Sequence, residues 1–236
     1  MKQRKVKDNW LPIWNERAKD NNPFSSMGRS SYSWNSWFIY LNDIVRNFEG
    51  FNKNDLLLDI GGGKGYVAIY FAPWVKKVCS FDYAEEMVKG SKSVIDGFEN
   101  IYCYVDQIPT VEETKKLNFH FQKVFVGSIL KYLPDYNALE LTLKNLFEIT
   151  TEDATLVFSH NQDLEHKKRH IKSYQRLDWP AEKKERAIAS DMSSFWIDFE
   201  FLKTMALKIG YKDIQKKEIN SKLWQSTYMF DFVLRK

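Results

Sequence analysis

One run constrains this chain more than any other: Leu56-Leu57-Leu58-Asp59-Ile60-Gly61-Gly62-Gly63-Lys64-Gly65-Tyr66. The apolar residues up to Ile60 read as a buried strand. The glycines at alternate positions, Gly61, Gly63 and Gly65, read as a tight turn into a helix starting near Lys64. Without a Cβ, such a turn takes strained dihedrals and lets its backbone approach a ligand closely. A second apolar segment, Val78-Cys79-Ser80-Phe81, ends in Asp82, which lies 23 residues after Asp59. That spacing is the one at which a nucleotide-binding α/β unit offers a carboxylate to a ribose. The dinucleotide fingerprint G-x-G-x-x-G/A fails from Gly61, where its third position is Tyr66. It is met from Gly63, where that position is Ala68. The glycines alone leave a dinucleotide and another nucleoside cofactor both open.

The rest of the chain alternates. Strands are expected to end near Ile60, Phe81, Val105 and Val126, with a fifth from Ala154 to Ser159. Helices fall between them, for example Asn137 to Ile149. Another, carrying Phe199, Leu202, Met205, Ala206 and Ile209, should end at Gly210. Residues 1–50 read as helical with a Ser-rich break from Ser25 to Ser33; beyond it Trp37, Phe38, Leu41, Ile44, Val45 and Phe48 share one helical face. A polar stretch, Asn161 to Asp198, interrupts the alternation. Two strand-like segments, Tyr211 to Ile219 and Trp224 to Leu234, close the chain. Alternating strands and helices imply a parallel sheet covered on both faces, within one domain of 236 residues.

The full pattern D-x-G-x-G-x-G, made by Asp59, Gly61, Gly63 and Gly65, resembles the first motif of class I S-adenosylmethionine-dependent methyltransferases. The likeness runs from about Asp55 to His160. It implies a Rossmann-like α/β fold, a seven-stranded mostly parallel sheet with a C-terminal antiparallel hairpin. Residues 1–50 would form a helical cap, and residues 161–198 an insert after strand five. It also implies S-adenosyl-L-methionine as cofactor, held by Asp59, Gly61, Gly62, Gly63 and Gly65. Asp82 would bind both ribose hydroxyls, with Tyr83 and Met87 beside it. Asp106 would lie by the adenine amino group, with Gln107 and Ile108 against the ring. Gly127 and Ser128 would lie beneath the methionine portion, and Tyr132 in the loop that follows is a candidate acceptor contact.

Ligands of such sheets sit beyond the carboxyl ends of the strands, a rim that also carries His160. The acceptor must then be covered by residues 1–50 and the insert. Between His160 and Ser190 the insert holds eight Lys or Arg against five Asp or Glu, a net +3, and three of the four histidines fall within eleven residues. This reads either as a cationic cap over an anionic acceptor, through Arg169, His170 and Arg176, or as a solvated helix face. His160 is the candidate general base, because an unperturbed imidazole titrates near neutrality. Among the N-terminal residues, Arg29 and Tyr32 are candidate acceptor contacts, whereas Trp10 and Trp37 read as packing. No metal site is expected: His166 and His170 have helical ligand spacing, but the Lys-Lys-Arg between them repels a cation.

Several classes are excluded. A net charge of +4 is too mild for a nucleic-acid-binding domain. The segment after strand four, Gly127-Ser128-Ile129-Leu130, lacks the Asn/Asp-Pro-Pro-aromatic signature of DNA-amine methylation. Cys79 and Cys103 both lie in expected strands, so neither suits as a cytosine-attacking nucleophile. Free buried thiols, no membrane span, and the absence of an apolar signal core after Met1-Lys2-Gln3-Arg4-Lys5 point to the cytoplasm. The expected activity is O-methylation of a small anionic or hydroxyl-bearing metabolite. Trp14-Asn15-Glu16-Arg17-Ala18-Lys19 and the segment after His160 faintly resemble methyltransferases of bacterial surface-polysaccharide clusters, including the capsular O-methyl phosphoramidate type. The alternatives are N-methylation of a small amine, an NAD-dependent oxidoreductase, and a non-catalytic cofactor-binding module.

Overall fold

A computed structural model describes residues 10–236; the basic N-terminal pentapeptide lies outside the described residues. Three helices come first, α1 (Leu11–Arg17), α2 (Pro23–Ser26) and α3 (Trp34–Phe48). Then strands and helices alternate: β1 (Leu56–Ile60), α4 (Tyr66–Phe71), β2 (Lys77–Asp82), α5 (Glu85–Val94), β3 (Ile101–Val105), α6 (Glu112–Lys116), β4 (Phe121–Gly127), α7 (Tyr136–Glu148) and β5 (Thr150–Gln162). The insert forms α8 (Lys167–Ser173) and α9 (Ala181–Ser193), and the chain closes with α10 (Phe199–Ile209), β6 (Asp213–Lys217) and β7 (Met229–Arg235).

The seven strands lie in the order β3-β2-β1-β4-β5-β7-β6. β1 to β5 are parallel, while β7 runs antiparallel to both β5 and β6. The order reverses between β1 and β4, which opens a crevice at the strand ends there. Residue alternation supplies both faces of the sheet. Leu58, Val124, Leu156 and Phe232 face α7 and α10, while Leu57, Phe125, Val157 and Val233 face α3 and α4.

Local chemistry sets the ends of these elements. Ser33 Oγ accepts from Ser36 N at 3.3 Å to start α3, and Asp135 Oδ1 accepts from Ala138 N at 3.0 Å to start α7. Gly210, at φ +122°, ends α10 as expected. The stripe Trp37, Tyr40, Leu41, Ile44 and Phe48 lays α3 on the sheet.

Three boundaries differ from the sequence reading. The helix after the glycines starts at Tyr66, because Gly65 still has φ +84°. β5 is longer at both ends than Ala154 to Ser159. Residues 224–227 are a tight helical turn rather than strand, closed by Ser226 N to Leu223 O and Tyr228 N to Gln225 O. That turn lies over the carboxyl rim of the sheet. Both cysteines are free, and burial pushes the Cys79 thiol up to about 11. No helix among the described residues is long and apolar enough to cross a membrane.

Candidate active site

A cavity of about 290 Å³ opens where β1 and β4 diverge. Its floor is the glycine turn. Gly61 N and Gly62 N both donate to Phe81 O at 2.9 Å, which folds the turn back onto β2. A Cβ on Gly62 would stand 2.0 Å from Ser80 Oγ and 2.6 Å from Asp59 Oδ2, so no other residue fits there. Beneath it Ser80 Oγ donates to Asp59 Oδ2 at 2.9 Å. Burial pushes the Asp59 carboxyl up to about 7. A Cβ on Gly63 would meet nothing nearer than Met87 Sδ at 4.0 Å, so its backbone faces open cavity.

Asp82 ties the turn to the next strand end. Its Oδ2 accepts from Gly63 N at 3.1 Å and its Oδ1 from Ala84 N at 2.9 Å. Burial raises its carboxyl to about 6, although these backbone bonds favour the charged form. Each oxygen keeps a lone pair for a ligand. Asp106 is committed inward: Oδ2 accepts from Thr114 N at 2.8 Å and Thr114 Oγ1 at 2.7 Å, and Oδ1 from Gln107 N at 2.8 Å. Tyr83, Met87, Gln107 and Ile108 continue this wall. Gly65 does not reach the cavity; a Cβ there would lie 3.0 Å from Ile95 Cγ2, so that glycine serves packing against α5.

The opposite wall is cationic. Ser128 (φ +61°), just after β4, and His160 (φ +58°), at a bulge within β5, are both left-handed, which costs a non-glycine residue about 1–3 kcal/mol. Arg29, from the loop before α3, bridges them. Its Nη2 donates to Ser128 Oγ at 3.2 Å, and its Nη1 lies 3.0 Å from His160 Nδ1 and 3.3 Å from Tyr32 Oη. The guanidinium carbon lies 4.1 Å from the Tyr40 ring centroid. Among the described residues no carboxylate touches Arg29. Burial alone would lower its pKa, but Tyr40, Tyr32 and the more distant Asp231 raise it, so it is a cation among neutral contacts. Arg17 and Lys131 also line the cavity, and neither forms an ion pair among the described residues.

His160 is buried beside Tyr40, with ring centroids 4.7 Å apart. Burial, Arg29 and Lys131 together hold its pKa well below 6.5. A guanidinium only donates, so Nδ1 must accept and the proton sits on Nε2. In that tautomer the imidazole keeps no free lone pair, which argues against the general-base role expected from its position.

Other expectations are redistributed. Tyr132 lines the cavity, held by Trp10 at 5.0 Å and Trp14 at 6.1 Å between centroids. Tyr32 stands behind Arg29, outside the wall. Trp37 packs in the core as expected, and both it and Trp10 also line the cavity. Among the insert residues, Arg169, His170 and Arg176 do not reach it. Arg169 Nη2 donates to Thr227 O at 2.8 Å, and His170 Nε2 lies 2.9 Å from Asp191 Oδ2. The insert instead braces a segment that lines the cavity. The His170 ring stacks on Tyr228 at 3.6 Å, and Tyr228 lines the cavity with Trp224, Gln225 and Met229. Outside the cavity, Asp163, Glu165 and His166 place three ligand atoms within 4.8 Å of one another, with the Lys216 ammonium 2.7 Å from Asp163 Oδ2.

Tyr40, Lys131 and the 224–229 wall were not singled out from the sequence. Tyr40 shares its stripe with core residues, and the 224–229 segment reads as strand, so neither carries a distinct signal. Asp231 did carry one: a lone acid in the apolar run Met229-Phe230-Asp231-Phe232-Val233-Leu234.

A family model described as a methyltransferase domain matches residues 39–216. Three solved structures share the fold. The N-methyltransferase NodS from Bradyrhizobium japonicum WM9, in complex with S-adenosyl-L-homocysteine, is 13% identical, with 97% of this chain and 99% of that chain covered and a TM-score of 0.63. DhpI, in a SAM-HEP complex, is 12% identical with 100% of both chains covered and a TM-score of 0.63. A SAM-dependent methyltransferase from Aquifex aeolicus is 13% identical, with 95% and 97% covered and a TM-score of 0.56. A sequence search of curated proteins finds no significant match. The family match sets aside the dinucleotide frame; Ala68, its third position, is buried within α4.

Proposed function

This chain belongs to the methyltransferase-domain family, and we propose that it methylates an oxyanion of a small acceptor held by Arg29. It is an S-adenosylmethionine-dependent methyltransferase of class I. The residues fit the cofactor: Gly63 offers a bare backbone to the cavity, and Asp82 offers two carboxylate oxygens for ribose hydroxyls. Asp106, Gln107 and Ile108 would flank the adenine. Gly127 and Ser128 would underlie the methionine portion. When bound, the cofactor supplies an electrophilic methyl group on a sulfonium.

The protein's own contribution is positional. Arg29, fixed by Ser128, His160 and Tyr32, would orient the acceptor oxygen, and Trp10, Trp14, Tyr132 and Tyr228 would exclude water. Holding two reactants in line can supply about 7–11 kcal/mol of the barrier. The observation that carries the reading is the cation at Arg29 with only neutral contacts, beside a histidine whose basic nitrogen is taken. An anion answers the cation, and an oxygen that is already anionic needs no base. An ammonium acceptor would face Arg29 and Lys131, so N-methylation is disfavoured.

The preferred acceptor is a phosphate- or phosphoramidate-bearing or sugar-derived metabolite of bacterial surface-polysaccharide biosynthesis. Its charge suits the cavity; the pathway rests on the sequence resemblance of residues 14–19. The test is labelled-methyl transfer to a panel of phosphate esters, phosphoramidates, carboxylates and amines. Transfer to an oxyanion that Arg29→Met slows by about 10- to 150-fold, the worth of a charge-assisted contact, supports the reading. Transfer only to amines, or indifference to Arg29→Met, refutes it.

A further inference from the structure

We propose that Asp231 is the internal counter-charge of the anion site: it positions His160 and Arg29, and its own ionisation opposes acceptor binding. The inference rests on Arg29 as the oxyanion anchor and adds a residue that never touches the acceptor. In the β5–β7 ladder, Phe158 pairs with Phe232 and Asn161 with Phe230, so Ser159 and His160 stand against the single Asp231. Two residues against one make a bulge, a device found where a strand must re-aim a side chain. The bulge leaves His160 N without a ladder partner. Asp231 Oδ1 takes it at 2.7 Å, and Oδ2 accepts from Asn47 Nδ2 of α3 at 3.2 Å. One carboxylate thus fastens the left-handed His160, whose Nδ1 in turn meets Arg29. Asp231 is only 1% exposed and has no ion pair among the described residues.

The charges around Asp231 come from every element packed on it. Arg29 approaches from the loop before α3. Tyr40 and Asp43 face it from α3, with Asp43 already paired to Arg46 at 2.9 Å. His160 lies on β5, and Lys217 stands opposite on β6. Burial, then Asp43, raises the Asp231 carboxyl to about 7, against the pull of the His160 N–H and Arg29. The sign follows. Above that pH Asp231 adds a negative charge, felt by Arg29, that repels an incoming oxyanion. Below it the site is more positive. Binding an anion therefore draws a proton onto Asp231, and affinity falls as pH rises through 7.

The experiment uses the full chain loaded with S-adenosyl-L-homocysteine, with methanesulfonate as probe, an anion whose charge is fixed between pH 6 and 8. Calorimetry on the wild type should show affinity falling by about five- to tenfold across that range, a typical size for coupling between sites. Asp231→Asn keeps an acceptor for His160 N, and a reversed Asn47 amide can meet its NH₂. It should bind the probe at pH 8 at least as tightly as the wild type does at pH 6, with the slope reduced. A purely structural role would instead weaken binding in Asp231→Asn at all pH values and leave the slope intact, which overturns the proposal. A flat wild-type profile overturns it without any variant. Probe binding that Arg29→Met does not weaken, or no probe binding, removes the anion site itself and fails the underlying reading. A slope surviving in Asp231→Asn alone would assign the titration to Asp59 or Asp82 and refute only Asp231.

Discussion

The sharpest prediction concerns Asp82, proposed as the ligand of the cofactor's ribose. Asp82→Asn keeps the size of the side chain but leaves one oxygen and an NH₂. Gly63 N and Ala84 N, now met by separate oxygens at 3.1 and 2.9 Å, would then share one acceptor, and the NH₂ would face a donor. The ribose would lose a carboxylate whose charge-assisted hydrogen bonds are worth about 1.5–3 kcal/mol, so S-adenosyl-L-homocysteine should bind about 10- to 150-fold more weakly. The pH dependence follows from the same group. Burial holds the free carboxyl near 6, and the ribose hydroxyls favour its ionised form. Cofactor binding then expels a proton, and affinity should fall by up to about tenfold per pH unit below 6 while levelling off above 7. Isothermal calorimetry between pH 5 and 8 measures both effects. An affinity unchanged in Asp82→Asn, or a wild-type profile flat down to pH 5, would refute the assignment of Asp82 to the ribose.

Gly62→Ala forces a Cβ to 2.0 Å from Ser80 Oγ. Overpacking on this scale costs about 3 kcal/mol, or roughly 6–12 °C in Tm for a chain of this size. A melting temperature within about 2 °C of wild type would mean that the turn relaxes freely. His160→Gln should lower turnover by less than the 10²–10⁴-fold loss of a general base. Its pH–rate profile should parallel the wild type between pH 6 and 8, because the depressed His160 pKa keeps the ring neutral throughout. An activity limb near pH 6.5 that disappears in His160→Gln would restore the imidazole as base.

What was legible in the sequence follows from how local each signal is. The glycine turn, Asp82 and the ends of β1 to β4 are set by contiguous residues, so pattern alone locates them. Gly210 and the N-cap Asp198 end and start α10 for equally local reasons. The acceptor end is built from contacts distant in sequence. Arg29 lies 131 residues from His160 and 99 from Ser128, and no periodicity announces that meeting. The insert misled because its charge is visible and its direction is not. Lys, Arg and His at helical spacing give no sign that His170 turns inward to Asp191 and Tyr228. His160 shows the same limit at one residue. Its place on β5 near the cavity was readable, though the strand runs two residues further, and its protonation state depends on Arg29 and Lys131, which arrive from other elements.

Charge divides the cavity along the line where the strand order reverses. At the ends of β1, β2 and β3 stand Asp59, Asp82 and Asp106, each accepting hydrogen bonds from within the protein. Just after β4 and near the end of β5 stand Ser128 and His160, neutral groups that hold Arg29. The cofactor's nucleoside presents hydroxyl and amino donors, which suit the acidic side. Its sulfonium gains nothing from a guanidinium, and Asp231 makes no ion pair with Arg29 among the described residues, so a negative group between the sulfonium and Arg29 suits the site. An acceptor oxyanion meets that condition. It screens the donor's charge from Arg29 and, held by the same contact, points its oxygen toward the methyl group. The two left-handed residues have a reason on this view. Ser128 bends the chain just after β4 and His160 bends β5 at its bulge, so that one arginine, supplied by the N-terminal cap, reaches both. The strain at the rim thus fixes where the negative charge must sit for an in-line reaction.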